Sequence, residues 1–254
     1  MKSLHLLYHE LRPSPSSYSY VMECSFFEQH CQLFAKIRGG VEGALLPQVT
    51  FDDGHRSNYE FALPILEEHG LKARFFITAG WIGQRSGYMS WPELKALHAA
   101  GHDIGAHGWS HTLLTHCRSS ELQKELSGAR QYLEDGLGAP VTTMSLPGGR
   151  ANHRVLAACW EAGYALVFTS VPREEEGPFA PGSTIGRLNI RSGMSSAELF
   201  RVLTPDSGAL SAMQRSDRIK SVAKRILGDK VYAGVWGLLN GKEADPDEVG
   251  APAK

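Results

Sequence analysis

The chain has 254 residues, 42% of them apolar and 21% charged, with 26 Lys+Arg against 27 Asp+Glu for a net charge of −1. That length suits one large domain and is enough to bury a sizeable core. The near-zero charge gives no global field for nucleic acid or an anionic membrane, so any partner has to be chosen by a local site.

Cys24, Cys31, Cys117 and Cys159 form no C-x-x-C pair and read as free thiols rather than a disulfide framework. The first nine residues lack the long apolar core and cleavage site of a signal peptide. No run approaches the roughly 18 apolar residues needed to span a bilayer, so no stable membrane insertion is expected. The expected location is cytoplasmic, with an exported form open if a leader has been removed.

Short β-rich apolar runs alternate with helical patterns. Residues 4–8, 46–51, 73–78, 102–107, 141–146, 164–169 and 184–190 are predicted strands. Stretches near 25–37, 57–69, 91–100, 120–137, 151–162 and 195–203 are predicted helices. The clearest helix follows Cys117. Ser120 with Gln123 reads as a capping box, Leu122, Leu126, Ala129, Leu133 and Leu137 form one stripe, and Gly138 marks the stop. The alternation implies a parallel sheet covered by helices, and seven such units favour a barrel over an open sheet, a single α/β domain over residues 1–213. A helix within residues 214–240 is expected to pack on the outside of the barrel, and residues 241–254 to form a flexible tail. Arg215, Arg218, Lys220, Lys224, Arg225 and Lys230, with Ile219, Val222, Ile226 and Leu227 between, make that helix basic and amphipathic. Its first reading is a solvated face, and its second is contact with a membrane surface or an anionic polymer.

In such a barrel, chemistry belongs where strands end. Thr50-Phe51-Asp52-Asp53-Gly54 closes one strand with two adjacent carboxylates, which repel unless a cation or proton lies between them. Gly54 permits an immediate turn that could aim both at one place, and the competing reading is a solvated Asp-Gly turn. His107-Gly108-Trp109-Ser110-His111 closes another strand, and imidazoles at i and i+4 share one face of a helical turn. With an aspartate they make three protein ligands and leave positions open, the catalytic rather than the structural pattern; the competing reading is two unrelated surface histidines. Ser145-Leu146-Pro147-Gly148-Gly149-Arg150 closes a third strand, and its glycines can expose backbone N–H groups to a developing oxyanion or simply make a turn. His9 and Glu10 end the first strand and so face the same end of the barrel.

These three motifs, in this order, resemble those of the polysaccharide deacetylase family (NodB-like, carbohydrate esterase family 4). Residues 73–78, 88–91 and 101–105 also resemble it, and the likeness covers roughly residues 5–190. The resemblance implies a distorted barrel of seven or eight β/α units. It implies Asp52 as catalytic base, Asp53, His107 and His111 as ligands of one divalent ion, and Pro147 and Gly148 as the oxyanion loop. The ion is usually zinc, and cobalt or another divalent ion can serve. The implied activity is hydrolytic removal of N-acetyl groups from an amino-sugar polysaccharide, oligosaccharide or sugar intermediate, with no role for nucleic acid. A bound divalent ion brings the pKa of its water from about 15.7 toward about 7, within reach of a carboxylate base.

The sequence also departs from the family. An arginine before the prolines of the third motif, which orients the base, is replaced by Ser145 or Leu146, and Arg150 can substitute from the other side of the loop. The late histidine that serves as general acid is absent from Ile185-Gly186-Arg187-Leu188-Asn189-Ile190. His153 is the nearest alternative acid, against a reading as a helix-surface residue. Arg187 is a candidate for contact with substrate or base. Trp109 is the best of Trp81, Trp91 and Trp109 for stacking on a sugar, against core packing. Two other functions stay open: a non-catalytic carbohydrate-binding relative that keeps the metal, and a deacylase of a different small amide.

Overall fold

The structure, a computed structural model, describes residues 2–227. In chain order it comprises β1 (Lys2–Tyr8), β2 (Glu10–Arg12), β3 (Val21–Glu23), α1 (Cys24–Arg38), β4 (Leu46–Phe51), α2 (Leu63–Glu68), β5 (Ala73–Ile77), α3 (Trp91–Ala99), β6 (Asp103–Ala106), α4 (Ser119–Gln123) and α5 (Ala129–Leu137). There follow β7 (Thr143–Ser145), α6 (His153–Glu161), β8 (Leu166–Phe168), β9 (Glu175–Glu176), β10 (Ser183–Ile185), β11 (Arg187–Asn189), α7 (Ser196–Leu203) and α8 (Ala209–Leu227). No helix among the described residues is long and apolar enough to cross a membrane.

The sheet runs β10-β8-β7-β6-β5-β4-β1-β11, with parallel pairing throughout this path and β9 added antiparallel to the start of β1. The predicted strand over 184–190 is two strands: β10 pairs with β8 and β11 with β1. Gly186 joins them, where a Cβ would meet the Val171 carbonyl at 2.3 Å and Arg173 Cγ at 2.6 Å. The two ends of the sheet are therefore consecutive in the chain, and the sheet curls into a nearly closed, distorted barrel. A two-way pairing of one short segment has no trace in hydrophobic alternation.

Residues alternate across each strand. On β5, Phe75 stacks on Phe51 at 5.0 Å and joins the main core, with Phe27, Cys31, Phe34 and Ile37 of the amphipathic helix α1. Its neighbour Phe76 joins a smaller cluster with Phe168 and Ile185. Each fully buried aromatic or aliphatic side chain contributes about 1.5–3 kcal/mol. In the core, His30 donates from Nε2 to the Met194 carbonyl (2.8 Å) and accepts from the Tyr8 hydroxyl at Nδ1 (3.0 Å), so it is satisfied as a neutral imidazole.

The helix after Cys117 runs through α4, a π-helical turn over Lys124–Gly128 and α5, ending on Gly138 at φ +69°. Its cap differs from the expected one: the Arg118 N–H donates to the Glu121 carboxylate (2.5 Å), so the Ser120–Gln123 box does not form. Helix α8 starts at Ala209, earlier than expected; Leu210 is buried and Met213 packs on the core. The rest of the helix expected to residue 240, and the tail at 241–254, lie outside the described residues.

Candidate active site

At the C-terminal end of β4 the Asp52 N–H still donates to the Tyr8 carbonyl (3.0 Å). The chain then turns through Asp53 at φ +74° and Gly54 at φ +85°. A left-handed non-glycine residue costs about 1 kcal/mol or more, and such strain gathers at functional sites. The turn sends both carboxylates to one mouth of the barrel. Asp53 Oδ1 lies 3.2 Å from His107 Nε2 and 3.2 Å from His111 Nε2. His107 Nδ1 faces the Ser145 carbonyl at 2.9 Å and must donate to it, so Nε2 presents its lone pair to Asp53. Asp53 Oδ1 is buried and has no hydrogen-bond partner. A carboxylate oxygen facing imidazole nitrogens without a hydrogen bond is the arrangement a cation resolves. One oxygen and two nitrogens within 4.8 Å of one another fit a divalent ion with coordination positions left over.

His107 and His111 do not meet on a helical turn, as the i, i+4 spacing suggested. The segment between them is a loop, with Gly108 at φ +77° and His111 at φ +63°. Glu125, buried on the π-helical turn, holds this loop: it accepts from the Trp109 N–H (2.8 Å), the Ser110 N–H (3.0 Å) and the Ser110 hydroxyl (2.6 Å). Sequence reasoning missed Glu125, whose only signal was an acidic residue beside the apolar stripe of Leu122, Leu126 and Ala129.

Asp52, 3% exposed, is clamped by Arg187, which is 0% exposed. Arg187 Nη1 donates to Oδ1 (2.7 Å) and Nη2 to Oδ2 (2.8 Å). The Ser145 hydroxyl donates to the same Oδ2 (2.9 Å) and accepts from Arg187 Nη2 (2.7 Å). Burial pushes the Asp52 carboxyl up, but the charge and hydrogen bonds of Arg187, with His107 beside it, outweigh this and hold it below the usual carboxylate range. Arg187, expected to touch substrate or base, thus lies on Asp52 and outside the cleft lining. Ser145, one of the two residues expected where the family has its arginine, completes the clamp.

A cleft of about 500 Å³ opens over these groups. Gly148, Gly149 and Arg150 line it. Gly148 and Gly149 both sit at φ +65°, and the Gly149 N–H is committed to the Leu146 carbonyl (2.7 Å), so Gly148 is the exposed turn residue at the mouth. Pro147 is buried beneath the loop rather than in the cleft lining. His153 is exposed on the first turn of α6, outside the lining, and Trp109 packs on Tyr132 at 5.3 Å under Lys124. The structure therefore brings neither to the cleft: α6 starts beyond the loop, and the Glu125 contacts turn Trp109 toward α5. His9 and Glu10 do line it. His9 Nδ1 is buried without a partner, and burial lowers its pKa against the opposing pull of Asp53 and Asp52.

Fold and mouth together place the chain among barrel proteins whose chemistry sits at the strand C-termini. Comparison with known proteins narrows the class: residues 47–167, just under half of the chain, match the family described as polysaccharide deacetylase. It is 31% identical over 128 residues to the peptidoglycan-N-acetylglucosamine deacetylase PgdA of Listeria monocytogenes, covering 50% of this chain and 26% of that protein. It is 30% identical over 151 residues to a chitooligosaccharide deacetylase of Bradyrhizobium, covering 56% and 65%. The match thus spans between about a quarter and two-thirds of these curated relatives. In fold, it is similar to the deacetylase PplD of Streptococcus pyogenes (TM-score 0.70, 19% identity, 80% of this chain and 98% of that one). It is likewise similar to BC0361, a polysaccharide deacetylase of Bacillus cereus (TM-score 0.69, 19% identity, 78% and 68%).

Proposed function

We propose that this chain is a metal-dependent hydrolase that removes N-acetyl groups from an amino-sugar glycan. The observation that carries the reading is the pairing of two arrangements at one mouth: an Asp53–His107–His111 set fit for a divalent ion, and a separate carboxylate, Asp52, held ionised beside it. A pure binding protein needs the first and has no use for the second. Zinc suits two imidazoles and a carboxylate, and cobalt suits the same set.

Asp53, His107 and His111 would hold a divalent ion, which would supply Lewis acidity at the acetyl carbonyl and a nucleophilic water at neutral pH. Asp52 takes the proton as the water oxygen bonds to the carbonyl carbon. Arg187 and Ser145 fix the direction of the Asp52 lone pairs, so the base is already oriented. The Gly148 N–H donates to the oxyanion of the tetrahedral intermediate. The C–N bond then breaks, acetate leaves, and the amine needs a proton. His9, at the end of β1, lines the same cleft and, kept neutral at rest by burial, relays to the amine the proton that Asp52 has collected, in place of the family's late histidine.

The test is acetate release from N-acetylated chito-oligosaccharides by the full chain. Release that stops on chelation and returns with zinc or cobalt supports the reading. Oligosaccharide binding without release favours the carbohydrate-binding alternative, and turnover of acetylated polyamines or ureides alone favours a different amide.

A further inference from the structure

The mouth of the barrel opposite the cleft holds a buried imidazole that the chemistry above does not use. His5, on β1, is 6% exposed, and neither of its ring nitrogens has a hydrogen-bond partner among the described residues. Phe168 meets the ring edge-on at 5.5 Å and Phe179 flanks it at 6.1 Å, so packing fixes its place. A neutral imidazole carries one N–H and one lone pair, and native structures seldom bury either unpaired. His30 shows the usual outcome, with both nitrogens bonded.

His5 instead lines a cavity of about 120 Å³ at the end of the barrel where β5 and β6 begin. Arg74 of β5 lines it too. Its Nη2 donates to Asp103 (2.8 Å), but its Nε is buried and has no partner. The Arg74 guanidinium lies over Phe168, 5.1 Å from the ring centre, so one ring positions both His5 and Arg74. Lys72 and Gly101 are exposed at the rim, which opens the cavity to solvent. Lys72 donates to the Ala100 carbonyl (2.5 Å) and keeps further N–H groups to offer.

The charge of this lining is positive. Lys72 and Arg74 face one carboxylate, Asp103, which is already bridged to Arg74 and is 69% exposed. Burial, with Arg74 and Arg187 adding to it, holds His5 down to about 3. The same positive charges that keep a proton off the ring favour an anion beside it. At about 30 Å³ per water, the cavity has the volume of about four waters, which suits a tetrahedral oxyanion.

We propose that this mouth of the barrel is an anion site, in which His5 and Arg74 Nε, with Lys72 at the rim, hold a small oxyanion of the phosphate type. His5 donates the one N–H of its neutral ring, Arg74 donates from Nε, and Lys72 supplies charge. The site is separate from the catalytic cleft and stands whether or not the deacetylase reading does. A bound oxyanion ties β1 to β5 and stabilises the fold by mass action.

The probe is inorganic phosphate, added at constant ionic strength to the zinc-loaded full chain. Nitrogen-15 NMR reads the histidine rings, and calorimetry reads the dissociation constant. The His5 ring nitrogens are expected to shift along a saturating curve that matches the calorimetric constant. Arg74→Met and His5→Phe are each expected to weaken binding about tenfold or more, the scale of one hydrogen bond to a charged group. His111→Ala, at the other end of the barrel, is expected to leave the constant unchanged. Phosphate binding that persists in Arg74→Met and vanishes in His111→Ala puts the anion on the catalytic ion and overturns the site. His5 resonances unmoved by phosphate overturn it without any substitution, and the cavity then holds only water.

Discussion

Arg187 and Asp52 meet fork to fork, Nη1 to Oδ1 at 2.7 Å and Nη2 to Oδ2 at 2.8 Å, with both side chains buried. Lysine keeps the charge but cannot hold both oxygens. Arg187→Lys is therefore expected to lower kcat about 10–100-fold, the scale of losing the partner that orients a site group, with KM little changed. Steady-state kinetics on a chito-oligosaccharide check this, and wild-type kcat in the variant would remove Arg187 from the account. Replacing it by Met should instead destabilise the fold by about 3–5 kcal/mol, because Asp52 is then buried without a counter-charge.

Glu125 lies outside the cleft lining, yet its carboxylate accepts three hydrogen bonds from the loop that bears His111. Glu125→Gln retains the shape and leaves one oxygen to accept. Metal affinity is expected to fall about 10–100-fold, as for other residues that orient ligands from behind. A competitive chelator titration reads this directly. Unchanged affinity would mean the loop keeps its shape without the carboxylate.

His9 supplies the proton to the departing amine in this reading. An amine leaves badly as an anion, whereas the alkoxide of an ester needs less help. His9→Gln should therefore depress deacetylation of an amide by about 10²–10⁴ and that of an activated acetyl ester much less. Equal losses on both substrates count against the role and leave Asp52 to return the proton it collected.

Two core histidines make the fold sensitive to acid. His5 is held down to about 3 by burial, with Arg74 and Arg187 adding to it, and His30 to about 4 by burial. Each lies below the value near 6.5 of an unfolded chain. The unfolded state therefore binds the extra protons, and stability present above about pH 6.5 is lost as pH falls toward about 4. Each histidine contributes a slope of about 1.4 kcal/mol per pH unit inside that window. Urea unfolding at stepped pH should show a steep fall, and His5→Phe, whose ring suits a position between Phe168 and Phe179, should flatten it. A profile as steep in His5→Phe as in wild type contradicts this.

Much of this site could be read from residue order. Strand ends carry their own signature, an apolar run stopping at Asp52-Asp53-Gly54 or at His107, and the barrel places such ends together. What could not be read was contact across the barrel. Arg187 follows Asp52 by 135 residues, and only the pairing of β11 and of β4 on the two sides of β1 brings them together. His153 is near Pro147-Gly148 along the chain yet lies outside the cleft lining, while His9, far away in sequence, stands at the mouth. Trp109 lies between His107 and His111, yet its loop donates three hydrogen bonds to Glu125 and its ring packs on Tyr132. Local pattern reports which groups a strand ends with, and tertiary closure decides which of them share a cavity.

The central claim is that Asp52 acts as a base beside an ion held by Asp53, His107 and His111. It is tested most directly by mass spectrometry of an N-acetylated chito-oligosaccharide incubated with four proteins: wild type loaded with zinc, wild type with chelator, Asp52→Asn and His107→Ala. The account predicts stepwise exchange of acetyl for hydrogen only in zinc-loaded wild type, with bound zinc retained in Asp52→Asn and sharply reduced in His107→Ala. Acetyl loss at the wild-type rate in Asp52→Asn, or full zinc occupancy in His107→Ala, would contradict it.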